Sequence, residues 1–133
     1  MKATFTQKGK KYIYKLDGNV VRTSENAYEY IAVSFYNGEF REVLACGKLN
    51  TCTTAANRRP AMIPRLKVKI DFLNGKIDYQ SYVRMVGKAN AMTPKRVKEI
   101  KENGTRDQEV ESIKRWIKQL EPYSEQIFKF EAE

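Results

Sequence analysis

Twelve of the 25 lysines and arginines fall in residues 58–101, against three of the 16 aspartates and glutamates. The net charge of +9 therefore lies in that window, and the flanks are neutral. Ammonium and guanidinium groups at this density attract polyanions, because each phosphate they neutralise releases a condensed counterion. The expected partner is a nucleic acid, DNA or RNA, or a nucleoprotein, and the expected contact surface is this basic middle. One group of candidates is Arg58, Arg59, Arg65, Lys67 and Lys69. Arg65, Lys67 and Lys69 alternate with Leu66, Val68, Ile70 and Phe72, a pattern that predicts a strand with one cationic face. Its charges would stand about 7 Å apart, close to the spacing of phosphates along a single strand. The other group is Lys95, Arg96, Lys98 and Lys101, on a helix opened by Thr93-Pro94, with Arg84 and Lys88 on or just after the helix before it.

Most catalytic chemistries lack their residues. The chain has no histidine, which removes His-based general bases, Ser-His and Cys-His pairs and most mixed zinc sites. Cys46 and Cys52, in a C-x5-C spacing, match no metal or redox motif and read as small buried apolar residues in a reduced compartment. Tyr79 and Tyr82 are spaced like the paired tyrosines of nicking enzymes, but the metal those enzymes need would have no histidine to hold it. Asp71 with Asp78, and Glu99 with Glu102, are carboxylate pairs without a third acid. Gly9, Gly18, Gly38, Gly75 and Gly104 all fall in turns, so no phosphate-cradling loop is present. The expectation is a non-enzymatic protein without cofactor or metal. On the first hairpin, Lys8, Lys10, Lys11 and Lys15 interleave with Tyr12 and Tyr14, which suits either base stacking or cross-strand packing.

The elements that position these residues read as α+β, an N-terminal antiparallel β-meander followed by a helix-rich half. Strands are expected at residues 3–6, 11–16, 20–22, 27–36 and 39–46, with Asp17-Gly18-Asn19 and Asn37-Gly38 as turns. Asn50 or Thr51 would cap a short helix over residues 52–57 that stops ahead of Pro60, and Pro60 and Pro64 would bracket a linker. Helices follow at residues 79–89, with Asp78 as N-cap, at 94–103, closed by Asn103-Gly104, and from Asp107, ended by Pro122. The last has Val110, Ile113, Trp116, Ile117 and Leu120 as its buried stripe. Residues 126–131 form a final strand or a frayed tail. The pair 79–89 and 94–103 has the shape of a helix-turn-helix with its tight turn at Ala91-Met92-Thr93, which would turn the four cations of its second helix outward. The 133 residues suit a single domain, with sub-lobes 1–57, β-rich, and 65–133, mainly helical, as the finer division.

No apolar run approaches the roughly 18 residues of a membrane span, and residues 1–15 contain no signal-like apolar stretch, so a cytoplasmic protein away from membranes is expected. Residues 12–33, YIYKLDGNVVRTSENAYEYIAV, resemble the opening of small accessory proteins of phages and plasmids. The resemblance implies a bacterial setting and a role in regulating mobile-element genes or blocking host defence. It supplies the alternative function, an inhibitor or adaptor that binds a protein partner such as a restriction or CRISPR nuclease complex. A basic protein does not imitate DNA by charge, so such an inhibitor would bind guide RNA, DNA or an acidic protein surface. Exposed strand edges in the first half are compatible with a dimer without requiring one, so the oligomeric state stays open.

Overall fold

Two-residue turns that accept positive φ set the register of the first half. In the computed structural model, which describes residues 1–133, β1 (Ala3–Lys8), β2 (Lys11–Leu16) and β3 (Asn19–Ser24) pair in antiparallel succession. Asp17 (φ 48°) and Gly18 (φ 81°) turn β2 into β3. Asn37 (φ 50°) and Gly38 (φ 81°) turn β4 (Tyr30–Tyr36) into β5 (Glu39–Gly47). Both pairs have the mirror-image turn geometry whose twist matches that of hairpin strands.

The fold is α+β, strands first and helices second. Its strands form two sheets rather than one meander: β3-β2-β1-β7 and β5-β4-β6, with β6 (Tyr123–Lys129) and β7 (Glu131–Ala132) supplied by the C-terminus. The separation follows from β4, whose residues Ile31, Ala32, Val33, Ser34 and Phe35 are all buried. A strand apolar on both faces needs a cover on each. Ile31, Val33 and Phe35 share a core with Tyr14, Leu16, Phe128 and Phe130. On the other face Ala32 meets Cys52 and Ala56 of the first helix. The C-terminal residues are thus ordered strand, β6 running antiparallel to β4 and β7 parallel to β1.

That helix, α1 (Leu49–Leu73), replaces three expected features at once: the short helix over 52–57, the proline-bracketed linker and the cationic strand over 65–72. Its start lies ahead of Asn50 and Thr51, and Thr53 and Thr54 return their hydroxyls to the carbonyls of Leu49 and Asn50 as mid-helix residues do. The apolar residues of the second half satisfy two periods. Leu66, Val68, Ile70 and Phe72 alternate, but Met62, Ile63, Leu66, Ile70 and Leu73 also recur at three and four. Burial selects the second pattern, with Leu66 and Leu73 in a helical core. Pro60 and Pro64 withhold N–H donors from the Ala56 and Pro60 carbonyls, and an unpartnered carbonyl is the milder of the two backbone orphans.

The chain divides into two compact units, Met1–Pro60 with Pro122–Glu133, and Ala61–Glu121. The second unit is helical. Its core joins Leu66 and Leu73 to Tyr82 and Val86 of α2 (Tyr79–Val86), Ile100 of α3 (Pro94–Asn103) and Val110, Ile113, Ile117 and Leu120 of α4 (Arg106–Leu120). Local chemistry places its ends. Asp78 caps α2 by accepting the Ser81 N–H at 2.7 Å, Thr93 caps α3 by accepting the Arg96 N–H at 3.2 Å ahead of Pro94, and Gly104 closes α3 at φ 63°. Removing the α3 cap as Thr93→Ala is expected to lower stability by about 1 kcal/mol, read as a shifted urea midpoint with an unchanged slope. Seven residues, 87–93, separate α2 from α3. A helix-turn-helix uses a turn of about three to four. The longer connection is pinned at Met92, whose carbonyl accepts the Tyr79 hydroxyl (2.8 Å) and whose N–H donates to the Tyr82 hydroxyl (2.9 Å).

Candidate nucleic-acid interface

The second unit carries 14 basic and eight acidic side chains, a net charge of +6. Pairing divides the bases into two kinds. Lys76, Arg96, Lys98, Arg106 and Lys114 each face a carboxylate, whereas Arg65, Lys67, Lys69, Arg84, Lys88, Lys95, Lys101, Arg115 and Lys118 face none. Only the second kind offers uncompensated charge to a phosphate.

The expected row Arg65, Lys67, Lys69 is broken up by the helical conformation of α1. Residues four apart share a flank and residues two apart do not, so Arg65 and Lys69 stand together and Lys67 lies on the other side of the helix. Arg58 is exposed on the share of α1 that belongs to the first unit. Arg59, in the same unit, is not a free cation. Its guanidinium donates to Glu125 Oε1 at 2.7 Å and Ser34 Oγ at 3.0 Å, and lies 4.0 Å from the centre of the Tyr123 ring. Ser34 and Glu125 are register partners on β4 and β6, so α1 is tied to that sheet by a charge pair whose acid is 2% exposed.

The α3 group is exposed throughout, but half of it is compensated. Arg96 bridges Glu99 and Glu109, and Lys98 pairs with Glu102 at 3.7 Å. Lys95 and Lys101 remain free, as do Arg84, whose nearest partner is the Ser81 hydroxyl, and Lys88 in the connection after α2.

Trp116, the single tryptophan, belongs to this surface and not to the α4 stripe. It is 44% exposed, while Val110, Ile113, Ile117 and Leu120 complete the buried face without it. The indole stands between two solvent-open recesses that share Lys69. One, of about 170 Å³, includes Arg65, Asn90 and Met62; the other, of about 450 Å³, includes Arg115, Ser112, Gln119 and Glu109. The smaller is below and the larger within the roughly 300–1,000 Å³ of small-molecule pockets, but both are shallow recesses open to solvent on either side of an exposed ring. A further recess of about 450 Å³ has Phe72, Leu73, Val97 and Ile100 for its floor, with Lys101 and the Arg106–Asp107 pair at its rim.

No family model, curated protein or solved structure matches the chain.

Trp116 and Arg115 escaped the sequence reading for different reasons. Arg115 lies outside the basic window, and Trp116 sits three residues after Ile113 and four before Leu120, a spacing that also suits a core position. The usable signal was that Val110, Ile113, Ile117 and Leu120 already supply a continuous stripe.

The remaining candidates have structural work. Tyr79 and Tyr82 hold the Met92 peptide from both sides, and burial pushes the Tyr82 phenol above its usual pKa, which keeps it neutral. Tyr14 is buried, accepting the Tyr28 N–H at 2.7 Å and donating to the Asn26 carbonyl at 3.0 Å. With Phe5, Tyr12, Tyr28 and Phe130 around it, it is a core ring and not a base platform. Both thiols are free, and burial raises both above the usual cysteine range, which suppresses the reactive thiolate. Asp71 pairs with Lys76, and Asp78 is held below the usual carboxylate range by the Ser81 N–H it accepts. No helix, α1 included, is long and apolar enough to cross a membrane.

Proposed function

We propose that the protein binds nucleic acid, alone or within a nucleoprotein, without catalysing a reaction, and that the second unit makes the contact. The observation that carries this reading is the nine uncompensated cations on a unit of net charge +6. Internal ion pairs absorb most of its carboxylates, so the excess is a property of the folded surface and not only of the composition. Such a surface contacts phosphates and provides affinity before it provides any sequence preference.

The test is binding to labelled duplex DNA, single-stranded DNA and structured RNA across a range of salt. Affinity should fall linearly on log–log axes, with a slope near −0.9 per duplex phosphate neutralised or about −0.7 per single-strand phosphate. Arg65→Ala with Lys69→Ala, two contacts on one flank, should make the slope shallower by about 1.4 to 1.8. Absence of binding to all three ligands at low salt overturns the reading.

A second reading, docking on an acidic protein partner such as a component of a defence nuclease, is favoured by one patch of the first unit. Tyr36 and Phe40 are each 40% exposed, and Arg41 lies over both Tyr36 and Tyr123. Exposed aromatics with arginine are the composition of protein-binding hot spots. Capture of a protein partner that is lost on Arg41→Ala or Phe40→Ala, together with no nucleic-acid binding, would establish it in place of the first.

A further inference from the structure

We infer that Trp116 is a base-stacking platform and that the nucleic acid taken by the second unit is single-stranded, an inference that rests on the nucleic-acid reading above. Three observations converge on the indole. It is large, apolar and 44% exposed, in a unit whose core is complete without it. It is also engaged by no other aromatic ring and no cation. Phe72, Tyr79 and Tyr82 of the same unit engage one another, with ring centres 4.7 to 6.2 Å apart, and every cation–π contact falls on Tyr36 or Tyr123. The only tryptophan thus has neither an aromatic neighbour nor a cation over its ring. Finally, cations flank it on both sides: Lys69 borders both recesses, Arg65 one and Arg115 the other. The one carboxylate in either recess, Glu109, is compensated by Arg96.

A ring flanked by uncompensated cations is the recurring element of single-strand recognition, in which bases stack while the backbone runs through positive charge. Every base has a π-face, so the platform is tolerant of sequence. A duplex hides those faces inside its stack and offers this surface phosphates only. Gln119 in the larger recess places an amide donor and acceptor beside a stacked base, whereas the Asn90 amide in the smaller one donates to the Val86 carbonyl at 2.9 Å and leaves its side-chain oxygen as an acceptor.

The indole is its own reporter, since emission excited selectively from tryptophan comes from this residue alone. The probes are an oligo-dT single strand, a single-stranded RNA of equal length and a duplex DNA. The expected result is saturable quenching by the single strands and little by the duplex. In parallel, binding of labelled oligo-dT should weaken by roughly 5- to 150-fold for Trp116→Ala and much less for Trp116→Phe, which keeps a ring. Duplex affinity should stay within about twofold in both variants. Thermal melting of the variants checks that the unit remains folded, and the wild-type titration needs no variant at all. Single-strand binding without an emission change, or quenching by the duplex as strong as by the single strands, overturns the platform and leaves nucleic-acid binding standing. Absence of binding to every probe at low salt overturns both.

Discussion

Arg59→Ala is expected to destabilise the first unit by about 3 kcal/mol, roughly a hundredfold in the folded-to-unfolded ratio. The size follows from what is left behind. Glu125 is 2% exposed, one of its carboxylate oxygens is held by Arg59, and the other has no hydrogen-bond partner. Without the guanidinium the carboxylate is a buried charge that has lost its one hydrogen-bond partner, and breaking a buried pair from one side costs about 3–5 kcal/mol. The lower end applies because the Arg59 side chain is itself 27% exposed, so water can replace part of it. The ring of Tyr123 also loses the cation 4.0 Å from its centre. Urea denaturation followed by far-UV circular dichroism measures the change. A control separates the stranded charge from lost packing: Arg59→Met combined with Glu125→Met removes both charges at similar volume and should fall within about 1 kcal/mol of the parent. A single variant as mild as a surface substitution, within about 0.5 kcal/mol, would show that the pair is solvated and that Arg59 is available to a ligand after all.

The opposite sign is expected at Pro60. A proline inside a helix costs about 3 kcal/mol relative to alanine, through the missing donor and the clash of its ring with the preceding turn. In α1 the Ala56 carbonyl is the acceptor left without its N–H, and Arg59 is held in the α region that a following proline disfavours. Pro60→Ala restores the donor and frees Arg59. Some of the gain is returned because alanine leaves the unfolded chain more conformations, a term of about 0.4–1 kcal/mol. The net expectation is a stabilisation of about 2 kcal/mol, read as a higher urea midpoint. A destabilisation of the same size would mean that the chain at Pro60 holds a conformation only proline favours, and that α1 is two helices and not one.

These two residues also mark the limits of legibility. The turns at Asp17-Gly18 and Asn37-Gly38, the caps Asp78 and Thr93 and the stop at Gly104 were all readable, because each depends on side-chain and backbone chemistry within about four residues. The basic middle was readable as a charge excess, and the order of strands before helices followed from hydrophobic period. The conformation of residues 65–72 was not readable, because their apolar residues satisfy a period of two and a period of 3.6 together. Pro60 and Pro64 also suited a linker between two elements, which the helix α1 runs through. Burial of Leu66 and Leu73 among the other helices settles it as helix, which moves Lys67 away from Arg65 and Lys69.

The sequence by itself therefore determined the α+β class, the hairpin turns, the start of α2, both ends of α3 and the sign of the surface charge, since these rest on local conformational preference and on composition; the end of α2, expected at residue 89, falls at Val86. Only the tertiary structure decided which charges are spent and which aromatic residue is exposed. Arg59 is cancelled by a glutamate 66 residues away, Arg96 by one 13 residues away, and Trp116 is left outside a core that its neighbours on α4 fill without it. No spacing in the chain records those distances, because they are set by which faces of α1, α3 and α4 must be buried together.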